Sequence, residues 1–252
     1  MTSSNSASTS AESPEQISDT LREQFPERPE MHLATEGIYQ ALYHPERTGL
    51  DRGVVRKLRT GRSCRRRRRR TDQRATRFVD LGTLVSRRPA EAEDRTAPGH
   101  REGDLIMGAG KRSAIATLVE RSSRFMILLH LPDGRTAEHV RDALISHLEC
   151  VPKPLARSLT WDQGTEMSRH GESTLATDVP VYFCDLAGPR QRGSNENTNG
   201  LLRQYFPKET DLSIHAAQDL AAVAAELNGR PRKVLGWQSP VSRFDAPVTA
   251  LC

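Results

Sequence analysis

The spacing of apolar and polar positions divides the chain into a helical N-terminal part and a longer mixed body. Residues 1–12 are mostly Ser, Thr, Ala and Asn without apolar periodicity, and are expected to be disordered. Ser13-Pro14-Glu15-Gln16 then reads as a helix start, with Ser13 as N-cap, Pro14 at the first helical position and Gln16 closing a capping box. Ile17, Leu21 and Phe25 follow at four-residue spacing until Pro26 and Pro29 break the run. A second helix is expected from Thr35 through Ile38, Tyr39, Leu42 and Tyr43, stopped by His44-Pro45. Two short helices joined by a turn fit a helix-turn-helix-like unit over 13–60, and fit equally a hairpin that only packs against the body.

The body, 98–247, changes period. Residues 105–107, 115–119 and 125–129 are short apolar or alternating runs separated by turn residues, which predicts a three-strand meander. Residues 136–148 place Val140, Leu144, Ile145 and Leu148 on one helical face. A fourth strand over 159–162, a short helix over 165–170 and a fifth strand over 179–184 come next. The Gly/Pro-containing loop 187–193 leads into a helix with Leu201, Leu202 and Tyr205 on its apolar face, and a last helix spans 214–227. The fold class expected is α/β, in an order that several α/β domains share.

Charge sharpens this picture. The chain has 37 Lys and Arg against 32 Asp and Glu, but the excess is local. Arg56, Lys57, Arg59, Arg62 and the consecutive Arg65, Arg66, Arg67, Arg68, Arg69 and Arg70 lie in one stretch. Charges of one sign so dense repel one another, so 61–97 is expected to be an extended basic linker lying on phosphates without reading sequence. The four cysteines, Cys64, Cys150, Cys184 and Cys252, are far apart, which excludes a zinc-knuckle spacing and a disulfide framework. No apolar run approaches the roughly 18 residues of a membrane span, and the N-terminus has no signal-peptide core. A cytoplasmic protein with no membrane partner is the simplest expectation.

Three acids stand where phosphoryl-transfer chemistry needs them. Asp104 sits on the first strand, Asp162 ends the fourth, and Glu196 opens a helix. Hard divalent ions take carboxylate oxygens and leave positions open for water and phosphate. Spacing alone fits solvated surface carboxylates as well, since acids are mostly exposed.

The text around these acids is more specific. GH-EGDLI around Asp104, SAIATLVERSSRF after it, LTWDQGTEM around Asp162 and QRGSNENTNGLLRQYFPKETDLS around Glu196 resemble the transposases of the insertion sequence 30 family. The resemblance runs from about Pro14 to Pro240. It implies a ribonuclease H-like integrase catalytic core in which Asp104, Asp162 and Glu196 are catalytic and hold two Mg²⁺ (or Mn²⁺) ions. It also implies double-stranded DNA as partner, at the element's terminal inverted repeats and at the target, and a homo-oligomer on DNA. Arg192, Asn199, Arg203 and Lys208 are expected to hold the DNA backbone near Glu196, and Trp161 to point away from Asp162 into the core.

Three departures qualify the resemblance. Arg101 and Arg190 stand where the family has tryptophan, and a buried guanidinium costs stability unless it is paired. Gly37, in EGIYQALY, replaces a helix former and weakens the second helix by up to about 1 kcal/mol. A further N-terminal DNA-binding segment of the family is expected to be missing. The readings are therefore a strand-transferring transposase, a nuclease of the same fold that cuts without joining, or a catalytically impaired remnant that only binds DNA.

Overall fold

A computed structural model describes residues 12–43, 83–184 and 193–249. The expected disordered start, Arg65 to Arg70, Arg190 and Arg192 lie outside the described residues. The chain forms two compact units, Met1–Arg70 with Arg230–Gln238, and Thr71–Gly229 with Ser239–Cys252.

In the first unit, α1 (Pro14–Gln24) begins with the expected capping box: Ser13 Oγ accepts from the Gln16 amide, and Gln16 Oε1 accepts from the Ser13 amide. Helix α2 (Thr35–Tyr43) packs against α1, and Leu42 is its buried anchor. Ser18 Oγ donates to the Leu33 carbonyl at 2.5 Å, fixing the turn between the helices. Gln16 Nε2 donates to the Pro231 carbonyl at 2.7 Å, tying the later segment to α1.

The second unit is built on a five-stranded sheet of order β3-β2-β1-β4-β5. Strands β1 (His100–Met107), β2 (Ala114–Glu120) and β3 (Met126–Leu131) form the expected antiparallel meander. The later strands β4 (Ser158–Trp161) and β5 (Val181–Phe183) add in parallel on the other side of β1. Parallel pairing requires crossovers. Helix α3 (Ala137–Glu149), N-capped by Thr136, leads from β3 to β4, and α4 (His170–Thr177) leads from β4 to β5. Helices α5 (Gly193–Leu202) and α6 (Ala217–Gly229) cover the opposite face, and α7 (Pro240–Thr249) packs on α6. A mixed sheet in this order with helices on both faces is an α/β, ribonuclease H-like core.

Strand alternation sorts the core into two layers. Ala114, Ala116 and Leu118 join Val140, Leu144, Leu159, Trp161 and Phe183 on the α3–α4 side. Ile106, Ile115 and Val119 join Leu202, Phe206, Leu220 and Leu227 on the α5–α6 side. Strand β2 is buried along its whole length because both of its faces are covered. At the edge strand β3, Asn228 of α6 satisfies both backbone groups of Met126, at 2.9 Å and 2.8 Å.

Several boundaries differ from the sequence reading. The last part of the expected linker packs onto the sheet: Leu84 bridges Phe183, and Val85, Arg88 and Ala92 are buried. The expected short helix over 165–170 appears as a 3-10 turn, Thr165–Met167, and the separate helix α4 that follows it to Thr177 was not announced, because His170-Gly171-Glu172-Ser173-Thr174 has no apolar period. Helix α5 stops at Leu202, so Arg203 and Tyr205 lie in the turn beyond it. Helix α7 was not expected at all.

Candidate active site

Strand β1 pairs with β4 as His100↔Ser158, Arg101↔Leu159 and Glu102↔Thr160. Carried two residues further, past the end of β4, the same offset would set Asp104 opposite Asp162, and neighbouring strands lie about 4.8 Å apart. Glu102 and Asp104 on β1, and Thr160 and Asp162 at β4, then share the face that α5 and α6 cover. Trp161 points the other way. It is fully buried and lies directly over Gly103, where any Cβ would fall within the indole ring.

Helix α5 lies over β1 and β2, and Glu196 is in its first turn. The Glu196 side chain lies outside the described atoms, so its place is that of its helix. Asn199, almost one turn further along, donates from Nδ2 to Asp104 Oδ2 at 2.9 Å. Thr117, opposite Asp104 on β2, has its hydroxyl 3.2 Å from Asn199 Oδ1 and 3.2 Å from the Asp104 carbonyl. The Leu105 amide donates to Asp104 Oδ1 at 2.8 Å. After Asp162, Gln163 Nε2 donates to the Cys184 carbonyl at 3.0 Å, which anchors the loop to the end of β5.

Two buried arginines brace the strands just behind the aspartates. Arg121 pairs with the fully buried Glu102, and its Nε donates to the Ala92 carbonyl at 2.7 Å. Burial draws the Arg121 guanidinium below its ordinary pKa, and the Glu102 charge opposes that shift. Arg88 Nη1 donates to Thr160 Oγ1 at 3.0 Å while Nη2 meets Glu93. One step back from each aspartate on the same face, a polar side chain is therefore held by an arginine.

The donor chemistry fits a hard divalent cation: two half-buried carboxylates on adjacent strands, with a third on the overlying helix. Among the described residues there is no group of three or more metal-capable side chains; the Glu196 carboxylate is not among them. Asp104, Asp162 and Glu196 would hold the ions.

Of the expected DNA contacts that lie among the described residues, Asn199, Arg203 and Lys208, only Lys208 is exposed. Asn199 is turned inward to Asp104. Arg203 is half-buried and donates to the carbonyls of Met107 and Phe206, at 3.1 Å and 3.3 Å. It lies past the end of α5 and not on the helix that carries Glu196. Arg101 lies buried on the α3 side, where its guanidinium meets the Leu155 carbonyl and forms no ion pair among the described residues. Thr117, Glu102, Arg121 and Arg88 were missed by the sequence reading. Period-two alternation on β2 signals that Thr117 faces α5, but nothing local marks the other three.

No family model matches the chain. The chain is 48% identical over 229 residues to the transposase for insertion sequence element IS1086 of Cupriavidus metallidurans, covering 91% of this chain and 67% of that protein. The chain belongs to the insertion sequence 30 family of transposases. It is likewise 45% identical over 230 residues to the transposase InsI for insertion sequence element IS30C of Escherichia coli, covering 90% of this chain and 60% of the relative. The transposase for insertion sequence element IS4351 of Bacteroides fragilis is 32% identical over 213 residues, covering 84% and 64%. The chain thus spans about two thirds or less of the length of these family members. Among its described residues no helix is long and apolar enough to cross a membrane.

Proposed function

We propose that the chain is a DDE transposase that cleaves and joins DNA strands at the ends of a bacterial insertion sequence. The observation that supports this reading is the β1–β4 register, whose last pair, Glu102↔Thr160, lies two residues before each aspartate, with the helix bearing Glu196 packed over β1 and β2. Bound there, two Mg²⁺ or Mn²⁺ ions would activate a water or 3′-hydroxyl and stabilise the departing oxygen. The chain's own part is geometric. Strand β1 carries Asp104, Gln163 anchors the loop after Asp162 to the Cys184 carbonyl, and helix α5 covers the face.

Substrate binding falls to the basic stretch Arg65, Arg66, Arg67, Arg68, Arg69 and Arg70, with Arg192 and Lys208, through phosphate contacts that weaken with salt. Joining two element ends calls for a homo-oligomer on DNA, and DNA as substrate places the protein in the bacterial cytoplasm. The second reading, a remnant that binds DNA without cutting it, is favoured by one observation, the charge of Arg101 buried beneath β1 without an ion-pair partner among the described residues.

The test is cleavage of a labelled duplex built from the DNA flanking the gene, with Mg²⁺ or Mn²⁺, beside Asp162→Asn. Cleavage at one position next to a terminal repeat, lost in the variant, supports the transposase. Salt-sensitive binding without metal-dependent cleavage supports the remnant.

A further inference from the structure

Asn199 occupies a position that backbone contact does not explain. It lies three residues after Glu196 on α5, almost one helical turn further along. Its amide is wired at both ends. A carboxylate can only accept, so the NH₂ group must face Asp104 Oδ2, at 2.9 Å, and Oδ1 must face the Thr117 hydroxyl, at 3.2 Å. Thr117 is fully buried and directly opposite Asp104 in the β1–β2 ladder, so it cannot swing away to solvent. The second Asp104 oxygen is held by the Leu105 amide. Each carboxylate oxygen therefore has a fixed donor.

We propose that Asn199 is a positioning residue: it sets the Asp104 carboxylate for metal binding and latches the helix carrying Glu196 to that carboxylate, with Thr117 fixing the orientation of its amide. The role rests on the two-metal reading above. It reassigns Asn199 from the DNA backbone to the inner side of the site. Partners that orient a metal ligand commonly account for about 10- to 100-fold of metal affinity. A residue that only packs α5 onto the sheet would change melting temperature and leave metal affinity alone.

The experiment uses the full chain with Mn²⁺ alone as probe, free ion being read by electron paramagnetic resonance. The comparison covers the natural chain, Asp104→Asn, Asn199→Leu, Thr117→Val and Thr117→Ser. The expected result is an Mn²⁺ site that Asp104→Asn abolishes and Asn199→Leu weakens about 10-fold or more. Thr117→Val weakens it less and Thr117→Ser, which keeps the hydroxyl, restores it. Asn199→Ser, too short to reach Asp104, replaces the leucine variant if that chain does not fold, and it too must weaken binding. An Asp104-dependent site that keeps its affinity within about twofold in the Asn199 variants overturns the positioning role and leaves the two-metal reading standing. A natural chain with no Asp104-dependent Mn²⁺ site overturns both.

Discussion

Gly103 is the residue on which the two aspartate-bearing strands close, and Gly103→Ala tests that closeness. Extending the β1–β4 register places Gly103 beside Trp161, and a methyl on Gly103 would fall inside the six-membered ring of the indole. Trp161 is fully buried and paired with Phe183 on its other side, so the ring has no space to retreat into. Overpacking a closed core costs typically 1–3 kcal/mol. Here both a large ring and a central strand must give, so about 3 kcal/mol is expected, or roughly 6–12 °C of melting temperature for a domain of this size. Trp161→Leu alone opens a cavity and is also destabilising. The double variant lets the methyl occupy part of that cavity, so its cost falls short of the sum by about 1 kcal/mol or more. Urea and thermal melts of the four chains provide the measurement. A Gly103→Ala chain melting within about 1 °C of the natural one, or strict additivity in the double variant, refutes the reasoning.

Three further outcomes follow from the buried charges. Arg121→Met leaves Glu102 buried and uncompensated and should cost about 3–5 kcal/mol in urea titration, whereas Arg121→Met with Glu102→Leu should recover most of it. Burial draws the Arg101 pKa down, and the buried Glu120 opposite it on β2 only partly opposes that, so Arg101→Met should leave stability unchanged or raise it; a loss of about 1 kcal/mol or more in the melt counts against a costly buried charge. Burial, with the nearby Arg101 charge, pushes the His147 pKa down to about 4, so the unfolded chain takes up that proton first as pH falls. The stability is present above about pH 6.5 and is lost toward pH 4, by up to about 3 kcal/mol. Urea midpoints of His147→Leu should therefore fall less over that window than those of the natural chain, and parallel curves reject the assignment.

The regular elements were legible because their apolar period is strong. The expected helix over 136–148 appears as Ala137–Glu149, and the three meander strands extend their expected runs by a few residues. The pairing of β1 with β4 was not legible in the same way. It joins segments more than fifty residues apart, and period-two alternation within each strand says nothing about its neighbour. The likeness of the text around Asp104, Asp162 and Glu196 supplied what periodicity could not. Burial of Arg88, Arg121 and Glu102 was illegible for a different reason: charged residues are ordinarily exposed, and only the tertiary pairing that satisfies them permits otherwise. The same limit misplaced Arg203, whose guanidinium serves the carbonyls of Met107 and Phe206 past the end of α5.

The claim that the three acids converge on one metal site is tested most directly by replacing Mg²⁺ with Fe²⁺ and generating hydroxyl radicals there. Radicals formed at a bound iron cut the polypeptide next to its ligands. The account predicts cuts in three segments, around Asp104, Asp162 and Glu196, all suppressed by excess Mg²⁺ and by Asp162→Asn. Cuts confined to one segment, or placed elsewhere and unaffected by Asp162→Asn, would contradict it.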